Sequence, residues 1–219
     1  MAKIAQEDDS YIVIVGDLLN NATRSSVSDV YAEVLSPSQA LDYAVSLLQP
    51  IADKILGVVG GNHERRSARE VDLDPLYAIC SMIRRSDGST LQDIYRPNMA
   101  FIRIILENGS TKDRYAIMIT HGKSATKKKN FSAICEGIDA AIFAHTHTPD
   151  VVRPARIRFN SSNKISVHSI VSMTACSWLK AGGYSLQGLY LPQAVSIPQA
   201  LELEYTGTNT RSGQVRVIW

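Results

Sequence analysis

The sequence predicts a mixed-sheet α/β protein, and three observations carry that prediction. An apolar strand, an amphipathic helix and a second apolar strand follow one another early in the chain. The later part reads as strand pairs around Asn- and Gly-bearing turns. Four of the strands run directly into a polar cluster. Alternation of strand and helix followed by antiparallel strands fits a mixed sheet flanked by helices.

Taken in order, Met1 to Ser10 turns acidic at Glu7-Asp8-Asp9 and lacks the apolar core of a secretory signal. Tyr11-Ile12-Val13-Ile14-Val15 is an unbroken β-branched run, which predicts a strand buried on both faces. Ser36-Pro37-Ser38-Gln39 predicts a helix start, with Ser at the N-cap, Pro at the first helical position and Gln three residues after Ser. Leu41, Ala44, Val45 and Leu48 follow on one helical face, and Pro50 lies just beyond. Lys54 to Val59 predicts a second strand. Phe101 to Leu106 and Tyr115 to Thr120 flank Glu107-Asn108-Gly109-Ser110, a hairpin signal. Ile138 to Ala144 predicts a short strand. Val151 to Val171 predicts paired strands around Asn160 to Asn163, and Leu201 to Trp219 two more.

Composition narrows the function classes. The chain has 219 residues, of which 45% are hydrophobic and 20% charged, an ordinary globular balance. No apolar run approaches the roughly 18 residues of a membrane span, so a transmembrane protein is excluded. A formal charge of +2 neither forces nor forbids a nucleic-acid partner. Cys80, Cys135 and Cys176 are three in number, far apart and without a CxxC pair. They argue for a reducing, cytoplasmic compartment and for cysteines acting as small core hydrophobes.

The chemistry lies in the four clusters: Gly16-Asp17, Gly61-Asn62-His63-Glu64, His121-Gly122 and His145-Thr146-His147. Each alone has an ordinary reading, as a turn, a helix cap or a solvated loop. Together, each after an apolar strand, they point to ligands converging at the carboxyl ends of a sheet. His145 and His147, at i and i+2 of a strand end, would point alike. Oxygen from Asp17 and Asn62 with imidazole nitrogen from His63, His121, His145 and His147 forms a donor set without thiolate. Such a set suits Mn, Fe, Zn or Ni.

At these residues the chain resembles the calcineurin-like metallophosphoesterase superfamily. Gly16-Asp17-Leu18-Leu19-Asn20, Gly61-Asn62-His63-Glu64, Thr120-His121-Gly122 and Ala144-His145-Thr146-His147 match its motifs in order and placement. Gly16 to Val34, with its Asn-Asn-Ala-Thr-Arg-Ser-Ser, looks most like members from phages and prophages, in a bacterial or phage-infected cytoplasm, and Ser177 to Tyr184 fits that branch more loosely. The resemblance implies a single domain over 1–219, built as a four-layer sandwich of two mixed sheets flanked by helices. It also implies one or two divalent transition metals, manganese foremost. Asp17 would bridge the two metals. Asn62, His121 and His145 would complete one shell, and His147 would bind the other metal. His63 would stand against the scissile phosphate as proton donor or charge stabiliser, making His63 and Asp17 the catalytic pair.

One family motif, Asp-x-His on an upstream strand, has no counterpart in the sixteen residues before Asp17. The expectation is therefore a member whose first strand is missing, with residues 2–9 as the end of the following helix. The second metal position then keeps only Asp17 and His147. The absent strand also leaves edges that invite pairing with a second copy. The expected activity is hydrolysis of phosphate esters by metal-activated water, on phosphodiesters or nucleic acid ahead of small phosphoesters. The alternative is an attenuated remnant, a binding or assembly module that keeps one metal site. Arg65, with Arg66, and Lys123, with Lys127 to Lys129, supply cations for a phosphodiester backbone, although such runs more often face water. Trp178 and Tyr184 would line a substrate pocket or fill core.

Overall fold

The computed structural model describes residues 2–24, 26, 30–123, 135–147, 149–159, 163–176, 200–207 and 215–218. Lys127 to Lys129, Asn160 to Ser162, Trp178 and Tyr184 lie outside the described residues. The chain forms two compact units. The first comprises Met1–Ala100 with Ile119–His121, and the second Phe101–Met118 with Gly122–Trp219. The architecture is mixed α/β, with several sheets and helices packed on apolar cores.

In the first unit, helix α1 (Ala2–Gln6) and a turn at Asp8-Asp9 lead into strand β1 (Ile12–Ile14). Helix α2 (Pro37–Leu48) starts as its sequence demands. The Ser36 hydroxyl accepts from Gln39 N at 3.4 Å, and Ser36 N donates to Gln39 Oε1 at 2.9 Å. Ala44 and Leu48 are buried, with Leu41 and Val45 packed partly against the same core. Strand β2 (Ile55–Val59), helix α3 (Glu64–Val71), helix α4 (Pro75–Met82) and strand β3 (Tyr95–Arg96) follow. α4 begins at Asp74, whose Oδ1 accepts from Leu76 N and Tyr77 N. Its Oδ2 takes the Tyr95 hydroxyl.

These strands form a parallel sheet in the order β1-β2-β3, with Ile12 opposite Ile55, Ile14 opposite Val58 and Val58 opposite Tyr95. Ile55, Val58, Leu76, Ile79, Ile83 and Leu91 are fully buried around it. Each such side chain contributes roughly 1.5–3 kcal/mol of hydrophobic stabilisation. The expectation for Tyr11 to Val15 is corrected. The strand covers only Ile12–Ile14, and of these only Ile14 is buried, while Tyr11 is exposed. It lies at the sheet edge with β2 as its hydrogen-bonded neighbour, so one side lacks a packed strand among the described residues.

β4 (Met99–Asn108) and β5 (Thr111–Thr120), most of whose residues belong to the second unit, meet across Gly109-Ser110, with Gly109 at φ 59°. Both are longer than their apolar runs, because the two-residue turn lets pairing continue to its edge. β6 (Ala140–Phe143), β7 (Asp150–Val152), β8 (Ala155–Phe159), β9 (Ile165–Ser169), β10 (Val171–Thr174), β11 (Ala200–Leu203) and β12 (Val215–Ile218) complete the described strands. A five-stranded mixed sheet runs β4-β5-β6-β10-β7, with β10 parallel to β6 and antiparallel to β7. β8 with β9, a pairing the sequence predicts, and β11 with β12, the two strands expected in the tail, form separate antiparallel ribbons.

Every residue of β6 and β10 is buried; β6 is wholly apolar, while β10 also buries the polar Ser172 and Thr174. Buried Asp139 is tied in through Ala116 N, which donates to its Oδ2 at 2.7 Å. Cys80 is a core residue as expected, but Cys135 and Cys176 are only half-buried; none is in a disulfide. Among the described residues no helix is long and apolar enough to cross a membrane.

Candidate metal centre

Two loops of the first unit cross at the end of its sheet. One follows β1 and the other follows β2. Gly16 and Asp17 adopt left-handed backbone, at φ 83° and 53°. A Cβ on Gly16 would fall within 3.0 Å of the Gly61 backbone. One on Gly61 would overlap the Asp17 amide and carboxylate and lie 2.8 Å from Glu64 Oε2. Glycine at both positions is what allows the loops to touch.

Glu64 locks that crossing, a role the sequence reading did not assign. Its side chain is fully buried. Oε2 accepts from Gly61 N at 2.9 Å and Asp17 N at 3.0 Å, while Oε1 accepts from Leu18 N at 2.8 Å and Leu19 N at 3.4 Å. One carboxylate thus satisfies amides from both loops. Asn21 adds a second tie, its Nδ2 donating to His63 O at 2.7 Å and Ser67 Oγ at 3.0 Å.

The crossing delivers Asp17 to two histidines. His63 N donates to Asp17 Oδ1 at 2.9 Å, and His63 Nε2 stands 3.7 Å from Oδ2. His121, at the end of β5, is buried, with Nε2 at 3.2 Å from Asp17 Oδ2 and 2.8 Å from Asn62 Oδ1. Its Nδ1 lies 2.7 Å from Val15 O. A carbonyl only accepts, so Nδ1 carries the proton in that bond. Nε2 then meets the two oxygens of Asp17 and Asn62 through either a proton or a cation. A backbone carbonyl fixing one ring nitrogen while the other faces oxygen ligands is how metal-binding histidines are commonly held. The residues present therefore fit a hard or borderline divalent cation with mixed N/O ligands.

Electrostatics agree with that arrangement. Burial alone would raise the Asp17 carboxyl, but the His121 imidazole, the His63 amide and the charge on both imidazoles outweigh it and hold the group at about 2. Burial pushes the His63 imidazole below its usual range, against the attraction of Asp17 and with help from Arg66.

Both shifts have the same sign for stability. Asp17 stabilises the fold above its ordinary value of 3.8, and that contribution disappears as pH falls through about 2. His63 resists protonation in the fold, so stability also falls as pH drops below 6.5. Urea unfolding of the metal-free protein is expected to show stability declining from pH 7 to pH 2. Asp17→Asn should remove about 2 kcal/mol of the pH dependence below pH 4. An identical profile in that variant would contradict the assignment.

Arg65 is engaged structurally. Its Nη2 donates to Pro97 O at 3.1 Å and Asn98 Oδ1 at 2.8 Å, and Asn98 O accepts from Thr120 Oγ1 beside His121. Arg66 Nη1 donates to Asn20 O at 2.9 Å. Lys123 is exposed and belongs to the second unit. So do His145 and His147, just beyond β6. Both adopt left-handed backbone, at φ 73° and 54°. This corrects the strand-like i, i+2 reading, since neither residue has the extended conformation on which that spacing depends.

No protein-family model matches the chain, and no curated protein matches it. Among solved structures it is similar to a conserved uncharacterized protein from Streptococcus pneumoniae TIGR4, described as a predicted phosphoesterase. The identity is 20%, over 64% of this chain and 67% of that one, with a TM-score of 0.29.

Proposed function

We propose that the protein is a divalent-metal-dependent phosphoesterase. The observation that carries this reading is the His121 imidazole, held by Val15 O with its other nitrogen against Asp17 and Asn62. Asp17, Asn62 and His121 would hold the cation. When bound, the cation supplies Lewis-acid polarisation of the phosphoryl group and activates water. The remaining work belongs to the chain. Burial leaves His63 neutral at pH 7, and the negative charge of a phosphate ester beside it would raise its proton affinity, allowing it to donate to the leaving oxygen. Arg65 and Lys123 are the candidates for contact with the substrate's other phosphates, favouring phosphodiesters or nucleic acid over small phosphomonoesters.

The test is hydrolysis of bis-p-nitrophenyl phosphate with added Mn(II). His63→Ala is expected to lower turnover by roughly 10²–10⁴-fold while metal content stays unchanged. Asp17→Ala should lose both metal and turnover. Full activity after exhaustive chelation would overturn the proposal. Stoichiometric metal without turnover would favour the second reading, a binding or assembly module. That reading draws on the single cation's worth of donors that the first unit gathers at Asp17, Asn62 and His121.

A further inference from the structure

The strand β4 raises a question the candidate metal centre does not answer. It is ten residues long and sits at the end of the β4-β5-β6-β10-β7 order, with β5 as its hydrogen-bonded neighbour among the described residues. One row of its backbone N–H and C=O groups therefore faces away from the sheet. Natural edges are usually short, bulged, charged or interrupted by proline. The opposite edge of this sheet, β7, has three residues, and so does β1. β4 instead reads Met-Ala-Phe-Ile-Arg-Ile-Ile-Leu-Glu-Asn, and its alternate residues Phe101 and Ile105 are 64% and 47% exposed.

We infer that β4 is the docking edge for a second copy of this chain, the two strands running antiparallel about a two-fold axis at Ile105. Charge selects that register. Centring on Arg103 would set two guanidinium groups directly opposite each other. Centring on Ile104 would set Arg103 against Ile105 and Phe101 against Glu107. Centring on Ile105 places Arg103 of each copy opposite Glu107 of the other, twice by symmetry, with Ile105 facing Ile105. Ile104 then meets Leu106 on the other face. Opposite charges in directly facing positions stabilise a strand pair, and like charges destabilise it. Glu107 is also paired within its own chain to Lys112, whose Nζ lies 2.6 Å from its Oε2. The joint would make one ten-stranded sheet from two five-stranded ones, with the same surface used on both copies as a two-fold interface requires.

Sedimentation velocity of the full chain over a range of concentrations tests this. The wild type is expected to show a monomer–dimer equilibrium. Arg103→Glu, which faces each Glu107 with a second acid, should weaken it by at least about tenfold. The exchange Arg103→Glu with Glu107→Arg should restore it. Ile105→Lys should give a monomer. Circular dichroism melts report whether each variant is folded, and the restoring double variant carries the argument if a single one is not. A wild type monomeric at every concentration, assembly larger than a dimer, or a dimer unaffected by Arg103→Glu would each overturn the inference.

Discussion

Glu64→Gln is expected to destabilise the protein nearly as much as Glu64→Ala, by about 3 kcal/mol or more. The reason is the geometry of the four amides around the carboxylate. Asp17 N and Gly61 N point at one oxygen, and Leu18 N and Leu19 N at the other. A glutamine must turn its NH₂ toward one of those pairs whichever way it is flipped, setting donors against donors in a buried position. Alanine leaves all four amides without their acceptor. For a chain of this length the loss corresponds to a fall of roughly 6–12 °C in melting temperature. Because Glu64 holds Asp17 against Gly61, metal affinity should fall with stability. Thermal melts of the three proteins decide the matter. A glutamine variant that melts with the wild type would show that the carboxylate does not organise the crossing.

Gly61→Ala is the second large effect. The added methyl group would occupy the space of the Asp17 amide and carboxylate, and both are anchored backbone and ligand atoms rather than the tip of a flexible chain. Forced overpacking of this kind costs about 1–3 kcal/mol, and the upper end applies where neither neighbour can give way. Gly88→Ala is the matched control. Gly88, unlike Gly61, has positive φ, at 85°, but no atom lies within 4 Å of its would-be Cβ. It should lose only about 1 kcal/mol from backbone strain and keep full metal affinity. Equal behaviour of the two variants in melts and metal titrations would mean that the close approach of the loops is unimportant.

Much of this architecture is legible in the sequence because it depends on local signals. The Ser36-Pro37-Gln39 start fixes α2, and Asn108-Gly109 fixes the β4–β5 turn. Apolar runs mark β2 and β6, whereas β10, Val-Ser-Met-Thr, carries no such run. α4 has a readable start too, Asp74 followed by Pro75, but its apolar residues alone do not separate a short helix from a strand. The limits of β1 are less visible, since whether Tyr11 and Val15 join the strand depends on what lies beside it, and periodicity carries no record of an edge. At the site, the types and spacing of Asp17, Asn62, His63 and His121 suffice to nominate them. Glu64 is different. Its value lies in amides some 46 residues away in the chain, brought to it only when β1 and β2 pair. Arg65 is legible only as a cation beside a histidine, whereas the bonds of its Nη2 to Pro97 and Asn98 depend on residues 32 and 33 positions away in the chain. The left-handed backbone of His145 and His147 has no residue signature beyond the turn-like run itself.

The most direct test of the metal centre is calorimetric titration of the metal-free protein with Mn(II) and Zn(II). The wild type, Asn62→Ala and His121→Ala should be compared, with the distant Gly88→Ala as reference. Saturable binding is expected of the wild type and the reference. Affinity should fall by roughly tenfold to a hundredfold in Asn62→Ala and further still in His121→Ala. Binding of equal strength in wild type and His121→Ala, or none in either, would contradict it.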